Sequence, residues 1–185
     1  MSNQTDRRIV KSQNAIKSAF LLMLLEDGFD KITVKSITER ADISRKTFYL
    51  HYVDKYDLLD SIVNKQLEEL GVICEQKKEK GFIEGTVIWF HYFAEHQAFF
   101  AALFGSDSTV SFRKQLLQFI MHQLSLKLHR IRPEKDAEVI LKFLGMAVLG
   151  IVESFVLRQL TAGTEDIARQ VGELLEQNIA NASVE

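Results

Sequence analysis

The sequence predicts an all-α protein, and three observations support this fold class. The 185 residues include one proline and nine glycines, fewer turn-forming residues than strands joined by tight turns require. Apolar residues recur at the three- and four-residue spacing of amphipathic helices, and no segment alternates as a half-buried strand does. Hydrophobic residues make up 46% of the chain, which is enough to give such helices a common core.

The first predicted helix runs from about Asp6 to Asp27. Gly28 follows it, and glycine is a common helix stop. Its apolar stripe consists of Ile9, Ile16, Phe20, Met23 and Leu24. This stripe predicts one face packed against a core and one exposed to solvent.

Three further helix starts share one design. Each has a side chain that can cap a helix, preceded by an apolar residue and followed by another at the fourth helical position. The capping residues are Thr33, Ser44 and Asp54. The pattern predicts two short helices over 34–41 and 45–52, and a long one from Lys55 to about Lys78.

The rest of the chain is predicted to be helical as well. The expected helices span 82–95, 97–104, 109–130, 134–161 and 164–180. Pro133 is expected in the first turn of its helix, and Thr164 is expected to cap the last helix. Together these segments form a body larger than the N-terminal part.

Charge is distributed unevenly along the chain. The net charge is −2, yet residues 1–56 hold ten Lys or Arg against seven Asp or Glu, a net +3 that leaves −5 for the remainder. A mildly basic end on an acidic body is typical of a protein that touches nucleic acid with one end only.

Three further features limit the class of protein. Cys74 is the only cysteine, which excludes an intrachain disulfide or a multi-cysteine metal site. The longest apolar run, Val139 to Val152, has 14 residues and contains Lys142, so we expect a buried helix rather than a membrane span. Residues 1–12 lack the apolar core of a signal peptide. The expectation is a soluble cytoplasmic protein that does not contact a membrane.

The segment TVKSITERADISRKTFYLHY, residues 33–52, has the form of a helix-turn-helix. Its two short helices are joined by a tight turn at Ala41-Asp42-Ile43, and the second helix of such a unit can lie in the major groove of DNA. Asp42 stands where the turn needs a left-handed backbone, which aspartate tolerates better than most residues. The segment therefore predicts sequence-specific binding to double-stranded DNA.

The second of these helices has a core face and an outward face. At about 100° per residue, Phe48 and Tyr52 fall together and face the core. The outward set combines donors for guanine edges, hydroxyls for phosphates and an apolar side chain for a thymine methyl group. It comprises Arg45, Lys46, Thr47, Tyr49 and Leu50. His51 and Lys55 are placed to bind backbone phosphates. The alternative is that these residues are ordinary solvated side chains.

The stretch GFDKITVKSITERADISRKTFYLHYVDKYDLL closely resembles the DNA-binding region of the TetR (tetracycline repressor) family, and the similarity covers about residues 7–62. It implies a three-helix DNA-binding domain over 1–53 and a helical regulatory and dimerisation domain over 54–185, which begins with a linking helix over 54–78. By position, the implied base contacts are Lys35, Arg45, Lys46 and Tyr49, and the implied backbone contacts are Thr33, Thr47, His51 and Lys55. Ser44 and Leu50 complete the candidate interface. Asp42 departs from the family's usual glycine.

The resemblance also implies an effector pocket among the helices spanning 82–160. The candidate pocket residues are Trp89, His91, Tyr92, His96, Phe100, Phe119, His122, Phe143, Met146 and Glu153. Glu153 stands out because an unpaired carboxylate is costly in the apolar stretch GIVESFVL. The alternative is that these aromatic residues are simply core. Because the histidines lack metal-ligand spacing, no metal or other cofactor is expected.

Residues 134–180 are the expected dimer surface, where Gly145 and Gly150 would allow close approach of another helix. The resemblance implies a four-helix bundle across a two-fold axis, and this symmetry implies a roughly palindromic operator. The leading hypothesis is a repressor released from DNA by a small-molecule effector. The alternative is an activator or co-activator controlled by a partner protein. No catalytic motif is present, so an enzyme is not expected.

Overall fold

The computed structural model describes residues 2–76, 80–128, 131–133 and 135–183. Within these residues the protein has nine α-helices and no β-strand, which confirms the all-α prediction. The helices are α1 (Ser2–Asp27), α2 (Val34–Arg40), α3 (Arg45–Tyr49), α4 (Lys55–Gln76), α5 (Phe82–Glu95), α6 (Gln97–Phe104), α7 (Val110–Ser125), α8 (Ala137–Val156) and α9 (Thr164–Ala182). Two 3₁₀ turns, Phe29–Lys31 and Asp107–Thr109, join α1 to α2 and α6 to α7.

The three predicted helix caps are confirmed. The Thr33 hydroxyl accepts from the Ser36 N–H at 3.1 Å, and the Ser44 hydroxyl accepts from the Thr47 N–H at 3.0 Å. The Asp54 carboxylate accepts from the backbone N–H groups at positions 56 and 57, at 2.8 and 2.9 Å. Because these bonds satisfy donors that have no partner within the helix, they fix where α2, α3 and α4 begin.

Several helix ends in the body differ from the prediction. α8 begins at Ala137 rather than near Pro133, because the Asp136 carboxylate accepts from the backbone N–H groups of the first helical turn. It ends at Val156 because Arg158 adopts a left-handed backbone with φ of 56°. Gly163, not Thr164, precedes α9 as its cap, and it has no side chain to contribute. The predicted ends at 78, 130 and 134 lie outside the described residues.

The short helices also end earlier than predicted, at Arg40 and Tyr49. After α3 the chain continues in tight turns, in which the His51 N–H donates to the Phe48 carbonyl oxygen at 2.9 Å. Phe48 and Tyr52 nevertheless lie in the core, as the helical projection predicts. The α-helix therefore gives way to turns at position 50, while Phe48 and Tyr52 stay on the inward face.

Two glycines allow the closest helix contacts in the body. A Cβ atom on Gly172 of α9 would lie 2.6 Å from the Ile83 Cα atom of α5, so the two backbones touch. A Cβ atom on Gly145 of α8 would lie 2.7 Å from the Met121 side chain of α7. The helix that packs closely against Gly145 is therefore α7 of the same chain. The assignment of Gly145 to the dimer surface is wrong. Gly150 faces open space.

α8 leaves part of its apolar surface uncovered. Among the described residues, α8 is the one helix that is long and apolar enough, by length and composition alone, to cross a membrane. In its most apolar stretch of 18 residues, 33% is buried. The helix has 20 residues and so extends beyond the 14-residue apolar run at both ends, and it is less buried than the prediction of a buried helix requires. A core helix passes the same test, so the result is weak evidence for a membrane. Val139, Phe143 and Met146 are 64%, 65% and 50% exposed and share one side of α8.

Candidate nucleic-acid interface and effector cavity

The helix-turn-helix is formed by α2, a turn and α3. Asp42 in the turn has φ of 52°, which confirms the predicted left-handed backbone. The Ile43 N–H closes the turn by donating to the Thr38 carbonyl oxygen at 3.0 Å. Fully buried Ile37 and Phe48 anchor the two helices to the core beneath. Aspartate therefore replaces the family's glycine without disrupting the motif.

The outward face of α3 is fully available to a partner. Tyr49 and Leu50 are 57% and 73% exposed, although they adjoin buried Phe48. Arg45 and Lys46 are exposed as well, and within the described part of the chain neither has an ion-pair partner. A guanidinium and an ammonium group that are not neutralised by carboxylates suit a polyanionic surface.

The candidate residues around α3 are engaged in local contacts. The Ser44 and Thr47 hydroxyls share a hydrogen bond of 2.9 Å, and Thr33 is held by the capping box of α2. Lys35 lies 3.8 Å from Glu39 in an exposed ion pair, a contact too weak to withhold the lysine from DNA. The three hydroxyl side chains are therefore held at the surface by hydrogen bonds, whereas Lys35 is exposed and only weakly paired.

Lys55 has a role that sequence analysis did not anticipate. Its ammonium group donates to the carbonyl oxygens of Phe29 at 3.1 Å and Ile32 at 2.9 Å, and more weakly to that of Asp30 at 3.4 Å. It also lies 4.4 Å from the centre of the Phe29 ring. The start of α4 is thus tied to the turn that leads into α2.

The His51 side chain is held by a contact with α1. Its Nε2 atom lies 2.7 Å from the Ser12 hydroxyl oxygen on α1. The Ser12 hydroxyl oxygen also lies 2.9 Å from the Ile9 carbonyl oxygen and 3.1 Å from that of Arg8. The contact fixes the end of the recognition segment against α1.

A cavity of about 330 Å³ lies between α4, α5 and α7, and we call it the α4–α5–α7 cavity. Its apolar lining includes Ile73, Phe82, Ile88, Trp89, Phe90, Ile120, Leu124, Val148, Val171 and Leu175. Its other lining residues are Cys74, Glu75, Lys80, Gly81, Gly85, Thr86, Gln123, Leu126 and Lys127. The volume lies at the small end of the range of ligand pockets.

Of the ten candidate pocket residues, Trp89 lines this cavity and the other nine do not. Phe119 stacks behind Trp89 with ring centres 5.6 Å apart. Phe100 is core, while His91, His122, Phe143 and Met146 are exposed.

The remaining three candidates also make contacts away from the cavity. The Tyr92 hydroxyl donates to the Gln66 carbonyl oxygen at 3.0 Å, burial raises the pKa of Tyr92, and His96 stacks on its ring at 4.3 Å. Glu153 accepts from the Arg113 guanidinium at 2.7 Å, so its carboxylate is paired. This ion pair removes the reason for placing Glu153 in a pocket.

Most of the cavity lining was not among the residues predicted from the sequence. The missed signal is the face of α5 that carries Phe82, Gly85 and Trp89, because a glycine at helical spacing between two aromatic residues leaves a gap in the stripe. A Cβ atom at Gly85 would have no heavy atom within 4 Å, so the absent side chain helps to keep the cavity open. Gln123 gave no signal, because a lone glutamine in a helix is usually on the surface.

The exposed basic helix, set on a three-helix core and joined to a helical body, defines the class of helix-turn-helix regulators. The family model "Bacterial regulatory proteins, tetR family" matches residues 21–62, and the model "Transcriptional regulator C-terminal region" of the same family matches residues 82–177. The chain belongs to the TetR family and is a DNA-binding transcriptional regulator. Regulators of this family are soluble proteins that bind DNA as dimers and are not enzymes.

Two relatives match parts of the sequence. The HTH-type transcriptional regulator YxbF of Bacillus subtilis (strain 168) is 38% identical over 68 residues, which are 36% of this chain and 18% of that protein. The dhaKLM operon transcriptional activator DhaS of Lactococcus lactis subsp. lactis is 26% identical over 101 residues, which are 55% of this chain and 53% of DhaS. The matched part of the chain thus spans about a fifth of the first relative and about half of the second.

Solved structures share the fold over nearly the whole chain. A TetR transcriptional regulator from Streptococcus agalactiae has a TM-score of 0.78 at 23% identity, and the match covers 95% of this chain and 99% of that one. The dihydroxyacetone kinase operon activator DhaS has a TM-score of 0.68 at 22% identity, with 94% and 98% covered. NalD of Pseudomonas aeruginosa, the secondary repressor of the MexAB-OprM efflux pump, has a TM-score of 0.67 at 14% identity, with 91% and 95% covered. At these identities the likeness establishes the fold.

Proposed function

We propose that this protein is a cytoplasmic, homodimeric repressor that a small-molecule effector releases from a palindromic operator. One observation carries the proposal. The α4–α5–α7 cavity is lined by the last turns of α4, at Ile73 and Cys74, while Lys55 at the start of the same helix holds the turn before α2. A ligand in the cavity therefore touches the helix that positions the DNA-binding domain.

The proposed boundary between the two domains lies between residues 53 and 54, just before α4. This helix has 22 residues, a length of about 33 Å at 1.5 Å per residue. A tilt at its far end moves its near end together with α2 and α3, because Lys55 binds the intervening turn. An effector acts through this tilt only if it binds the DNA-incompetent arrangement more tightly than the competent one.

The proposed DNA contacts fall into two groups. Lys35, Arg45, Lys46, Tyr49 and Leu50 are proposed to face the bases, while Thr33, Ser44 and Thr47 are proposed to face phosphates, because all eight lie at the surface around α3. For Lys55 we propose a positioning role in place of a phosphate contact, since its ammonium group already binds backbone carbonyls. His51, held by Ser12, is proposed to orient the end of the recognition segment.

The exposed side of α8, with the adjoining part of α9, is the proposed dimer contact. Val139, Phe143 and Met146 form an apolar strip there, and Leu174 of α9 is 58% exposed. Gly150 on α8 has room for a partner helix at close range. An isologous contact through this strip pairs two DNA-binding domains around a two-fold axis, which fits a palindromic operator.

The DNA-binding part of the proposal is tested by gel shift and footprinting on the DNA upstream of the protein's own gene. We expect the wild-type protein to protect a palindrome and the Arg45→Ala/Tyr49→Ala variant to lose it while remaining a folded dimer. Lys114→Ala, which removes an exposed charge from α7, is the control and should bind as the wild type does. A footprint without two-fold symmetry, or none at all, contradicts the palindromic operator. Transcription that rises on binding would make the protein an activator.

The effector part is tested with two ten-carbon probes, 1-decanol and decanoate. We expect at least one of them to weaken operator binding by the wild type. Gly85→Leu should abolish this response and still bind the operator, because Gly85 lines the cavity and a Cβ atom there would have no heavy atom within 4 Å, so the added side chain takes up space in the cavity. Ala98→Leu, which adds a leucine at an exposed site on α6, is the control and should keep the response. If neither probe changes operator binding, the effector part fails, and control by a partner protein becomes the better explanation.

A further inference from the structure

We infer that the effector is an uncharged, lipophilic molecule whose single polar group hydrogen-bonds to the Gln123 side chain. This inference rests on the proposed function, because it names the chemistry of the ligand for the same α4–α5–α7 cavity. Three properties of the cavity lead to it: its size, the state of its polar groups and the balance of charge at its edge.

The size and walls of the cavity set the body of the ligand. A volume of about 330 Å³ accommodates about ten non-hydrogen atoms if each occupies the ~30 Å³ of a water molecule in liquid water. Aromatic residues from α5 and aliphatic residues from α7, α8 and α9 form most of the wall. Trp89 lines the cavity and stacks on Phe119, with ring centres 5.6 Å apart. An apolar wall of this kind favours a ligand with a hydrocarbon body, because apolar surface of both is removed from water on binding.

Most polar side chains of the wall are already satisfied. The Trp89 indole N–H donates to the Cys74 sulfur at 2.6 Å, and the Thr86 hydroxyl donates to the Phe82 carbonyl oxygen at 2.7 Å. Burial raises the pKa of the Cys74 thiol, which disfavours the reactive thiolate and covalent capture of a ligand. These groups complete the wall without offering a strong contact to a ligand.

Gln123 is different from these groups. Gln123 is half-buried and lines the cavity from α7, and within the described residues its side chain makes no hydrogen bond. A carboxamide offers two N–H donors and one carbonyl acceptor. It can therefore bind a hydroxyl group through either its oxygen or its nitrogen and a carbonyl or ester group through its nitrogen, and it carries no charge to compensate an ionised group.

The charged residues at the edge of the cavity balance one another. The Lys80 ammonium lies 2.9 Å from the Glu84 carboxylate, and Lys127 donates to the Lys80 carbonyl oxygen at 3.4 Å. Glu75 adds a carboxylate, and both it and Lys127 have further partners. A charged ligand would lose its water without gaining a dedicated counter-charge, which is costly in an apolar site. The cavity therefore favours an uncharged head group.

The test uses the fluorescence of Trp89, the only tryptophan in the chain. The full-length protein is titrated with 1-decanol, decanoate and decylammonium, which share a chain length and differ in head-group charge. We expect 1-decanol to bind at least tenfold more tightly than either ion. Gln123→Leu should weaken the binding of 1-decanol about three- to tenfold, the value of one hydrogen bond. Gln118→Leu, at an exposed position on α7, should leave it unchanged.

The outcomes separate this inference from the proposed function. If decanoate or decylammonium binds as tightly as 1-decanol, or if Gln123→Leu has no effect, the inference is overturned while the cavity remains a ligand site. If none of the three probes changes Trp89 fluorescence, both the inference and the cavity as an effector site are overturned. Circular dichroism checks that the Gln123→Leu variant is folded. If its spectrum matches that of the wild type, its lower affinity for 1-decanol reports the lost hydrogen bond.

Discussion

The DNA-binding region and the helical body are stabilised in different ways. In the DNA-binding region, each short helix begins at its own capping side chain, and Phe20, Phe29 and Phe48 are completely buried. In the body, the contacts form between helices far apart in sequence, such as α5 with α9 through Ile83 and Gly172. The body also contains a cavity and an exposed apolar strip on α8.

Both regions expose apolar side chains, but they do so in different settings. In the DNA-binding region, Tyr49 and Leu50 are exposed beside the basic residues of α3. The body leaves Phe143 more than half exposed and retains a cavity of about 330 Å³. The proposed dimer contact uses this strip and the proposed effector site uses this cavity, since exposed apolar patches and apolar cavities are common binding sites. The two regions touch where Lys55 of α4 binds the turn before α2 and where the Ser106 hydroxyl donates to the Asp30 carboxylate at 3.1 Å.

The largest effect is expected from Phe48→Ala in the DNA-binding region. Removing this fully buried ring should lower the free energy of unfolding by about 3–5 kcal/mol, because the lost apolar contacts leave a cavity in the core. Urea denaturation followed by circular dichroism measures the change. Tyr49→Ala, one residue away and 57% exposed, should alter stability by less than about 0.5 kcal/mol. Equal losses in the two variants would show that the inward and outward faces are wrongly assigned.

The next effect concerns the exposed strip on α8. Phe143→Ser should weaken the proposed dimer by about 2 kcal/mol or more, roughly thirtyfold in the dissociation constant, since buried aromatic anchors dominate interfaces. Sedimentation velocity over a concentration series measures the dissociation. Val110→Ser changes a residue of equal exposure, 65%, on α7 and should leave the dimer intact. A dimer that is unchanged in Phe143→Ser places the interface elsewhere.

A smaller effect is expected at the contact between α5 and α9. Gly172→Ala should cost about 1–3 kcal/mol, because the new methyl group meets the backbone of Ile83 rather than a flexible side chain. Thermal unfolding measures the loss. The same substitution at Gly85, which faces open space on α5, should be neutral or stabilising by up to ~1 kcal/mol. If Gly172→Ala and Gly85→Ala lower the stability equally, the backbones of α5 and α9 are not in close contact.

The smallest effect is a dependence on pH at the junction of the two regions. Hydrogen bonds from Ser108 and Ser106 and the nearby charge of Lys55 lower the pKa of Asp30. The carboxylate therefore stabilises the folded state above its unfolded pKa of about 4, and this contribution is lost as the pH falls through the lower folded pKa. The stability difference between the wild type and Asp30→Asn should shrink below about pH 4. Asp107→Asn, in the adjoining turn, is the control, and a difference that is constant with pH contradicts the assignment.

Sequence patterns predicted the local features best. Thr33, Ser44 and Asp54 cap their helices as predicted, because a cap depends on residues two or three positions away. Patterns were less successful where a distant contact decided the outcome. Glu153 looked unpaired in its own segment, but Arg113, 40 residues earlier in the chain, neutralises it. Phe143 looked like a pocket residue, but packing turns it to the outer side of α8.

The sequence by itself determined the all-helical class, the helix-turn-helix with its left-handed Asp42, and the membership of a regulator family. Its apolar spacing and caps act over one or two helical turns, so neighbouring residues contain the necessary information. Only the tertiary structure decided that Lys55 binds the turn before α2, that α9 lies against α5 at Gly172, and that Gln123 faces a cavity. These features depend on how helices distant in sequence pack together, and helical periodicity alone does not specify which faces meet.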